Sequence, residues 1–358
     1  MPGVGDIAPC PRAAAPRTWL PWWGNGGPHA RGRTVDTALS HGVVPVPGPR
    51  YVHDALFFSS PDELAAATVP FVQAGLAAGD AVVVAASPAT ADVVRQTVDG
   101  DERVRVVARG AGYARRTPAA VIEFRRLADE LSAAGAPRVR VIGETDFGRT
   151  EREWLEWQRY EAVINDALGP WPLWGLCVFD TTRLPDQVLE SVARTHPTVV
   201  TGRSRTPNPR FVDPADYLRR LPVPVEPLQA GVPRLAVDDV TDPIALRHAV
   251  AAELAAIGGA REVVEDFLLA VDEMTSNAVR HGAPPVGLRL WTSADRVVCA
   301  VTDHGPGLDT PFAGYGPAHG EDLSRGGMGV WLARQLCDHV DISSGPDGVT
   351  VRLTTALR

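Results

Sequence analysis

From Tyr51 onward the chain alternates short apolar runs with stretches of helical periodicity. Runs suited to buried strands are Ala55–Phe58, Ala81–Ala85, Val104–Val107, Val139–Ile142 and Leu173–Phe179, and helical patterns fit 61–78, 88–98, 118–134, 150–168 and 185–194. Ser60-Pro61-Asp62, Ser87-Pro88, Thr117-Pro118 and Leu184-Pro185 stand where helices should begin, because proline at the first helical position gives up an N–H that has no partner there. Continuous apolar strands alternating with helices predict an α/β domain with a parallel sheet covered on both faces and its ligand face at the carboxyl strand ends. Beyond residue 235 the pattern becomes helix (242–257), helix (261–281), strand (286–292), strand (296–303), glycine-rich loop (304–327), helix (328–338) and two strands (340–345, 349–355). Strands adjacent in sequence pair antiparallel, so this half predicts an α+β domain with helices on one face of its sheet.

Between the two lies a proline-rich stretch with Pro207, Pro209, Pro214, Pro222, Pro224 and Pro227. Proline removes backbone donors and restricts its neighbour, so an extended, semi-stiff spacer is expected. The chain of 358 residues thus divides into an extension expected to be disordered (1–48), a first domain (49–202), a linker (203–234) and a second domain (235–358).

Charge and cysteine content narrow the function. A net charge of −8 argues against a face that neutralises nucleic-acid phosphates. Cys10, Cys177, Cys299 and Cys337 form no CxxC pair, which predicts reduced thiols in a cytoplasmic protein rather than a disulfide framework. No apolar run reaches the roughly 18–20 residues of a membrane span.

Three motifs in the second domain carry chemistry. On its long helix, Glu273 and Asn277 lie four apart and share a face beside the apolar stripe Val264, Phe267, Leu268, Val271, Met274 and Ala278. A carboxylate and a carboxamide so placed can hold hydrated Mg2+, which prefers oxygen ligands. Gly282 closes that helix. The second motif, Asp303-His304-Gly305-Pro306-Gly307, ends an apolar strand: the aspartate can accept from an exocyclic amine, and the glycines let backbone approach a flat ring. The third, Gly326-Gly327-Met328-Gly329, leads directly into a helix, whose free N–H groups suit phosphate.

In order and spacing these motifs resemble the N, G1 and G2 boxes of the GHKL ATPases. The string Asp272-Glu273-x3-Asn277-Ala278-Val279-Arg280-His281-Gly282, with Gly329-Val330-Trp331-Leu332-Ala333-Arg334, is most similar to the RsbW-like anti-sigma-factor serine/threonine kinases. The resemblance implies ATP as substrate and Mg2+ held by Asn277, with Glu273 as general base, Asp303 on adenine, and Gly305, Gly307, Gly327 and Gly329 shaping lid and phosphate seat. It implies an anti-anti-sigma factor or sigma factor as partner and admits a homodimer. Two alternatives stay open: a non-catalytic, ATP-dependent anti-sigma binding switch, and a sensor histidine kinase. The latter needs an acceptor histidine on a long helix, and only the short helix around Leu246–Ile257, with His248, precedes the ATPase motifs.

The first domain has no GxxxxGK[ST] phosphate loop. Its marked elements are Tyr51–Phe58, Ile142-Gly143-Glu144, Glu161–Asp166, Leu176–Thr181 and Arg194-Thr195-His196-Pro197. In that order they resemble the MEDS sensory domain. Glu144 is followed by Thr145 where the family pattern expects proline. The resemblance implies a RecA-like sheet without a phosphate loop and a small-molecule or redox signal, with His53, Glu144, Cys177 and His196 as candidate sensory residues. Trp154, Trp157 and Tyr160 recur on one helix and read as core.

Overall fold

The computed structural model describes residues 51–97, 101, 103–108, 116–257, 259–308, 310–316, 328–345 and 347–357. The extension expected to be disordered, 1–48, lies outside them. In the first half the order is β1 (Val52–Phe58), α1 (Pro61–Ala78), β2 (Ala81–Ala86), α2 (Pro88–Thr97), β3 (Val104–Ala108), α3 (Thr117–Ala133), β4 (Val139–Gly143), α4 (Glu151–Ala167), β5 (Leu173–Asp180), α5 (Asp186–Thr195), β6 (Thr198–Thr201) and β7 (Ser204–Pro207). Local chemistry sets the helix starts. The Ser60 side chain accepts from the Glu63 N–H ahead of Pro61, and Thr150 and Glu153 form a reciprocal capping box on α4.

These strands make one sheet in the order β3-β2-β4-β5-β1-β6-β7, parallel through β6. Only β7 runs antiparallel, as the hairpin partner of β6, so the sheet is mixed at one edge rather than wholly parallel. The strands are apolar on both sides because both sides are covered. Val82 and Val84 pack in a core with Leu64 and Val72 of α1, whereas Val83 and Ala85 pack in one with Phe124 of α3 and Tyr160 and Val163 of α4. Ala55, Cys177 and Phe179 face Val188 and Val192 of α5. Tyr160 is buried and Trp154 and Trp157 pack against the core, as their spacing predicts.

The proline-rich stretch is more than an extended spacer. It holds β7, the helix α6 (Pro214–Arg220) and a 3-10 turn at Pro227–Ala230. Asp213 caps α6 by accepting from the Ala215 and Asp216 N–H groups.

The second half follows with β8 (Leu235–Val237), α7 (Pro243–Ile257), α8 (Arg261–His281), β9 (Gly287–Thr292), β10 (Arg296–Asp303), α9 (Gly329–Leu336), β11 (His339–Gly345) and β12 (Gly348–Ala356). Its sheet is antiparallel, β11-β12-β10-β9-β8. One set of alternate residues, including Leu288, Leu290, Val297, Cys299, Val301 and Leu353, forms the core with Val250, Phe267 and Met274 of α7 and α8. The other set includes Trp291, Val298 and Ala300, and Leu228 of the 3-10 turn covers them. The Trp291 indole N–H donates to the Gly231 carbonyl. Prolines therefore shape a cover for this second face, which period-two alternation leaves apolar and in need of a partner.

The same outer face meets α4. Buried Asp341 of β11 accepts from Arg152 (2.9 Å) and Arg159 (3.1 Å) of α4 and from Arg352 of β12 (2.8 Å). Arg116 pairs with Asp338 at 3.0 Å close by. Cys177, Cys299 and Cys337 are buried and unbridged, and burial pushes the Cys337 thiol up to about 12. No helix among the described residues is long and apolar enough to cross a membrane.

Candidate active site

A cavity of about 710 Å³ opens between α8, the end of β10 and the start of α9. Asn277, Ala278, His281 and Gly282 of α8 and its end line one side, with Asp303, Pro306, Gly307 and Leu308 opposite and Val330, Val349 and Val351 closing the rest. Because α8 packs its apolar stripe on the sheet, the face bearing Glu273 and Asn277 turns toward the start of α9. A Cβ added at Gly329 would lie 2.7 Å from Asn277 Nδ2 and 3.0 Å from Glu273 Oε2. Glycine there is what lets the helix start approach both side chains. The N-cap residue, Met328, makes no side-chain hydrogen bond to the first N–H groups of α9, the kind of helix start that suits an anion. Two oxygen-bearing side chains beside an open helix start suit a hydrated divalent cation together with phosphate.

Asp303 sits at the end of β10, half-buried, and its Oδ1 accepts from the Gly305 N–H at 2.7 Å. The other oxygen keeps its capacity to accept. Gly282 ends α8 in extended backbone at φ −82, so its smallness serves space rather than a left-handed turn. A Cβ there would stand 2.4 Å from the Asp303 carboxyl. Gly305 is tight for the same reason: a Cβ there would lie 2.7 Å from Gly282 Cα. Gly307 takes φ +94, open to glycine and strained for other residues, and turns the chain over the cavity.

The cavity gathers Asn277, Asp303 and Gly307 on its walls. Gly305 and Gly329 stand against wall residues, and Glu273 borders Gly329 without lining the cavity. Gly327 lies outside the described residues. Sequence reading missed four wall residues from the first half: Arg125 of α3 and Val163, Asp166 and Ala167 of α4. Arg125 donates to the Ala167 carbonyl at 2.6 Å and rests against Gly316. Nothing in the motif order signals them, since they belong to another sheet's cover.

Residues 238–355 match the model of the histidine kinase-like ATPase domain, and 52–197 match MEDS, the methanogen/methylotroph, DcmR sensory domain. The serine-protein kinase RsbW of Bacillus velezensis is 31% identical over 153 residues, covering 40% of this chain and 86% of the relative. The chain belongs to the RsbW serine-protein kinase family. RsbW of Bacillus subtilis is 30% identical over 154 residues, with 40% of this chain and 87% of that protein covered. A crystal structure of the RsbU and RsbW domains of Rv1364c from Mycobacterium tuberculosis is 24% identical, covering 34% of this chain and 32% of that one at a TM-score of 0.26.

The RsbW-like half holds most of the cavity just described, and the close approach at Gly329 gives a direct test. Gly329→Ala places a methyl between Asn277 and Glu273. We expect nucleotide binding to weaken by about 1–3 kcal/mol, roughly ten- to a hundredfold in Kd, by calorimetric titration, with an unchanged circular dichroism spectrum. Equal affinity would mean that the nucleotide does not use this gap.

In the MEDS half the structure brings three of the four candidate sensory residues together and replaces the fourth. His53 of β1, Cys177 of β5 and His196 after α5 meet in the interior, joined by Glu161 of α4. Glu144 instead accepts from the Ser87 N–H at 2.9 Å. Thr145, where a proline was expected, donates its hydroxyl to Glu161 Oε1 at 2.8 Å. The signal for Glu161 was present in the sequence: Glu161 and Asn165 stand four apart on one helix, the same spacing as Glu273 and Asn277. Burial pulls His53 down to about 4 and His196 down to about 3, so both rings are neutral near pH 7. Burial also raises Glu161 above the usual carboxylate range. A cavity of about 30 Å³ borders Glu161 and Cys177.

Proposed function

We propose that this protein is a cytoplasmic regulator of a sigma-factor pathway, which binds ATP and Mg2+ in its C-terminal domain and phosphorylates a serine or threonine of an anti-anti-sigma factor. The observation that carries this reading is the close approach of Gly329 to Glu273 and Asn277, which brings a helix start, a carboxylate and a carboxamide together. Asn277 is assigned to Mg2+, which when bound offsets the charge of the triphosphate. Asp303 is assigned to the adenine amine, and Gly305, Gly307, Gly327 and Gly329 to the lid and phosphate seat. Glu273 accepts the proton of the incoming hydroxyl as its oxygen bonds to the γ-phosphorus; the bond from that phosphorus to the bridging oxygen breaks, and ADP leaves. The N-terminal domain is assigned to a small-molecule or redox signal. Its strand order, with a hairpin strand at the edge of a parallel sheet, supports a RecA-like arrangement without a phosphate loop.

Glu273 borders the cavity without lining it, and this favours a second reading, an ATP-dependent binding switch with no transfer. One experiment separates them. With γ-labelled ATP and candidate anti-anti-sigma proteins, the wild type should label a serine. Glu273→Gln should lower that rate about 10²–10⁴-fold while leaving nucleotide affinity near wild type. Nucleotide-dependent capture of the partner with no label in the wild type would establish the switch instead.

A further inference from the structure

The buried cluster in the MEDS half has the geometry of a metal centre. His53 Nε2 lies 3.4 Å from Cys177 Sγ and 3.4 Å from Glu161 Oε2, and His196 Nε2 lies 3.6 Å from the same oxygen. All four donor atoms fall within 4.8 Å of one another. Around a tetrahedral zinc ion with bonds of about 2.0–2.3 Å, donor atoms stand roughly 3.3–3.6 Å apart along the edges.

The surrounding hydrogen bonds orient each donor inward. Asn165 Nδ2 donates to the carbonyls of Glu161, Ala162 and Thr195, which fixes its amide and turns Oδ1 to His53 Nδ1. His53 therefore carries its proton on Nδ1 and points the Nε2 lone pair into the cluster. The Val192 carbonyl can only accept, so His196 Nδ1 donates to it at 2.9 Å and His196 Nε2 is likewise a lone pair. Thr145 holds Glu161 Oε1 and leaves Oε2 facing inward. Glu161 Oε2 and His196 Nε2 are buried and make no hydrogen bond among the described residues. Two orphaned acceptors aimed at one point, inside a protein, are costly unless a cation completes them.

We propose that His53, Glu161, Cys177 and His196 bind one tetrahedral transition-metal dication of the zinc class. Two imidazoles, a thiolate and a carboxylate form a donor set of that class. With Cys177 giving up its proton to solvent on binding, the thiolate and carboxylate balance the dication and the interior stays neutral. Asn165, Thr145 and the Val192 carbonyl are the outer partners such ligands characteristically have. This site is independent of the reading of the ATP cavity, and its test measures metal rather than phosphotransfer.

Full-length protein, its affinity tag removed, should retain about one zinc per chain by plasma mass spectrometry after growth in zinc-replete medium. After chelation and reloading with Co2+, it should show a thiolate-to-cobalt charge-transfer band and the intense visible bands of tetrahedral cobalt. Cys177→Ser should abolish the charge-transfer band. Asn165→Ala, which leaves all four ligands in place, should weaken zinc about 10–100-fold in competition with a chromophoric chelator. Wild-type protein that neither retains zinc nor acquires the cobalt band overturns the proposal without recourse to any variant. A band that persists in Cys177→Ser, or zinc affinity unmoved in folded Asn165→Ala, overturns it as well.

Discussion

Replacing Asn277 by alanine is expected to lower phosphotransfer to the partner about 10²–10⁴-fold. In the proposed site the carboxamide oxygen would be the neutral oxygen ligand on the α8 face, and a metal ion on a transferring phosphoryl group supplies several kcal/mol, with each 1.36 kcal/mol worth a factor of ten. The loss should fall on nucleotide binding and on transfer together, because on the proposed reading Asn277 would hold an ion that serves both. Truncation opens space beside Gly329 rather than creating a clash, so the fold should survive. Asn277→Asp keeps an oxygen donor and should recover part of the activity. Initial rates with γ-labelled ATP, at several magnesium concentrations, measure the effect. A wild-type rate in Asn277→Ala would remove Asn277 from the metal's coordination and with it the proposed mechanism.

The second large effect is on stability. Asp341 is 2% exposed at its side chain and faces Arg152, Arg159 and Arg352. Asp341→Ala leaves three guanidinium groups around a vanished partner, and breaking a buried pair in this way costs about 3–5 kcal/mol. The wild-type pH dependence has a definite sign. Burial alone would raise this carboxyl, but Arg152 and Arg159 outweigh it and hold Asp341 at about 2 against a usual 3.8. Its folded-state value is depressed, so its contribution is complete above about pH 4 and is lost as pH falls through 2; the shift corresponds to about 2 kcal/mol. Urea denaturation at pH 7 should show Asp341→Ala with a much lower midpoint. Between about pH 4 and 2 the wild type should lose stability that the variant has already lost. Equal midpoints at pH 7 would mean that the three arginines are satisfied without it.

How far sequence reaches into this molecule can be judged from particular residues. Val82 to Ala85 announce a strand covered on both sides, and Ser60 and Thr150 announce helix starts, because these signals are local and physical. The three ATPase motifs are equally local, each within one element and its turn. The buried cluster was only half visible. Logic based on strand ends selects Glu144, yet Glu161 enters from a helix packed across the sheet, and no local rule says which helix face meets which strand. Gly282 shows a different limit. As a helix terminator it predicts a left-handed cap, whereas its extended backbone answers to the Asp303 carboxyl, a neighbour 21 residues away in sequence. The prolines of 207–233 signalled an extended chain but not the apolar outer face at Trp291 and Val298 that their segment covers. Nothing in the helical pattern of 150–168 indicates that Arg152 and Arg159 meet Asp341 of another sheet.

One helix has a consequence beyond its own packing. Along α4, Arg152 and Arg159 clasp Asp341, Glu161 and Asn165 serve the buried cluster, and Val163, Asp166 and Ala167 wall the nucleotide cavity. Were the proposed ion and nucleotide both bound, any coupling between them through this helix would be symmetrical. If occupancy of the cluster tightens nucleotide tenfold, nucleotide must tighten the cluster's ion tenfold, a coupling of about 1.4 kcal/mol in either direction. The cell's ATP level would then set the affinity of the MEDS half for the proposed ion, just as that ion would set the affinity of the other half for ATP.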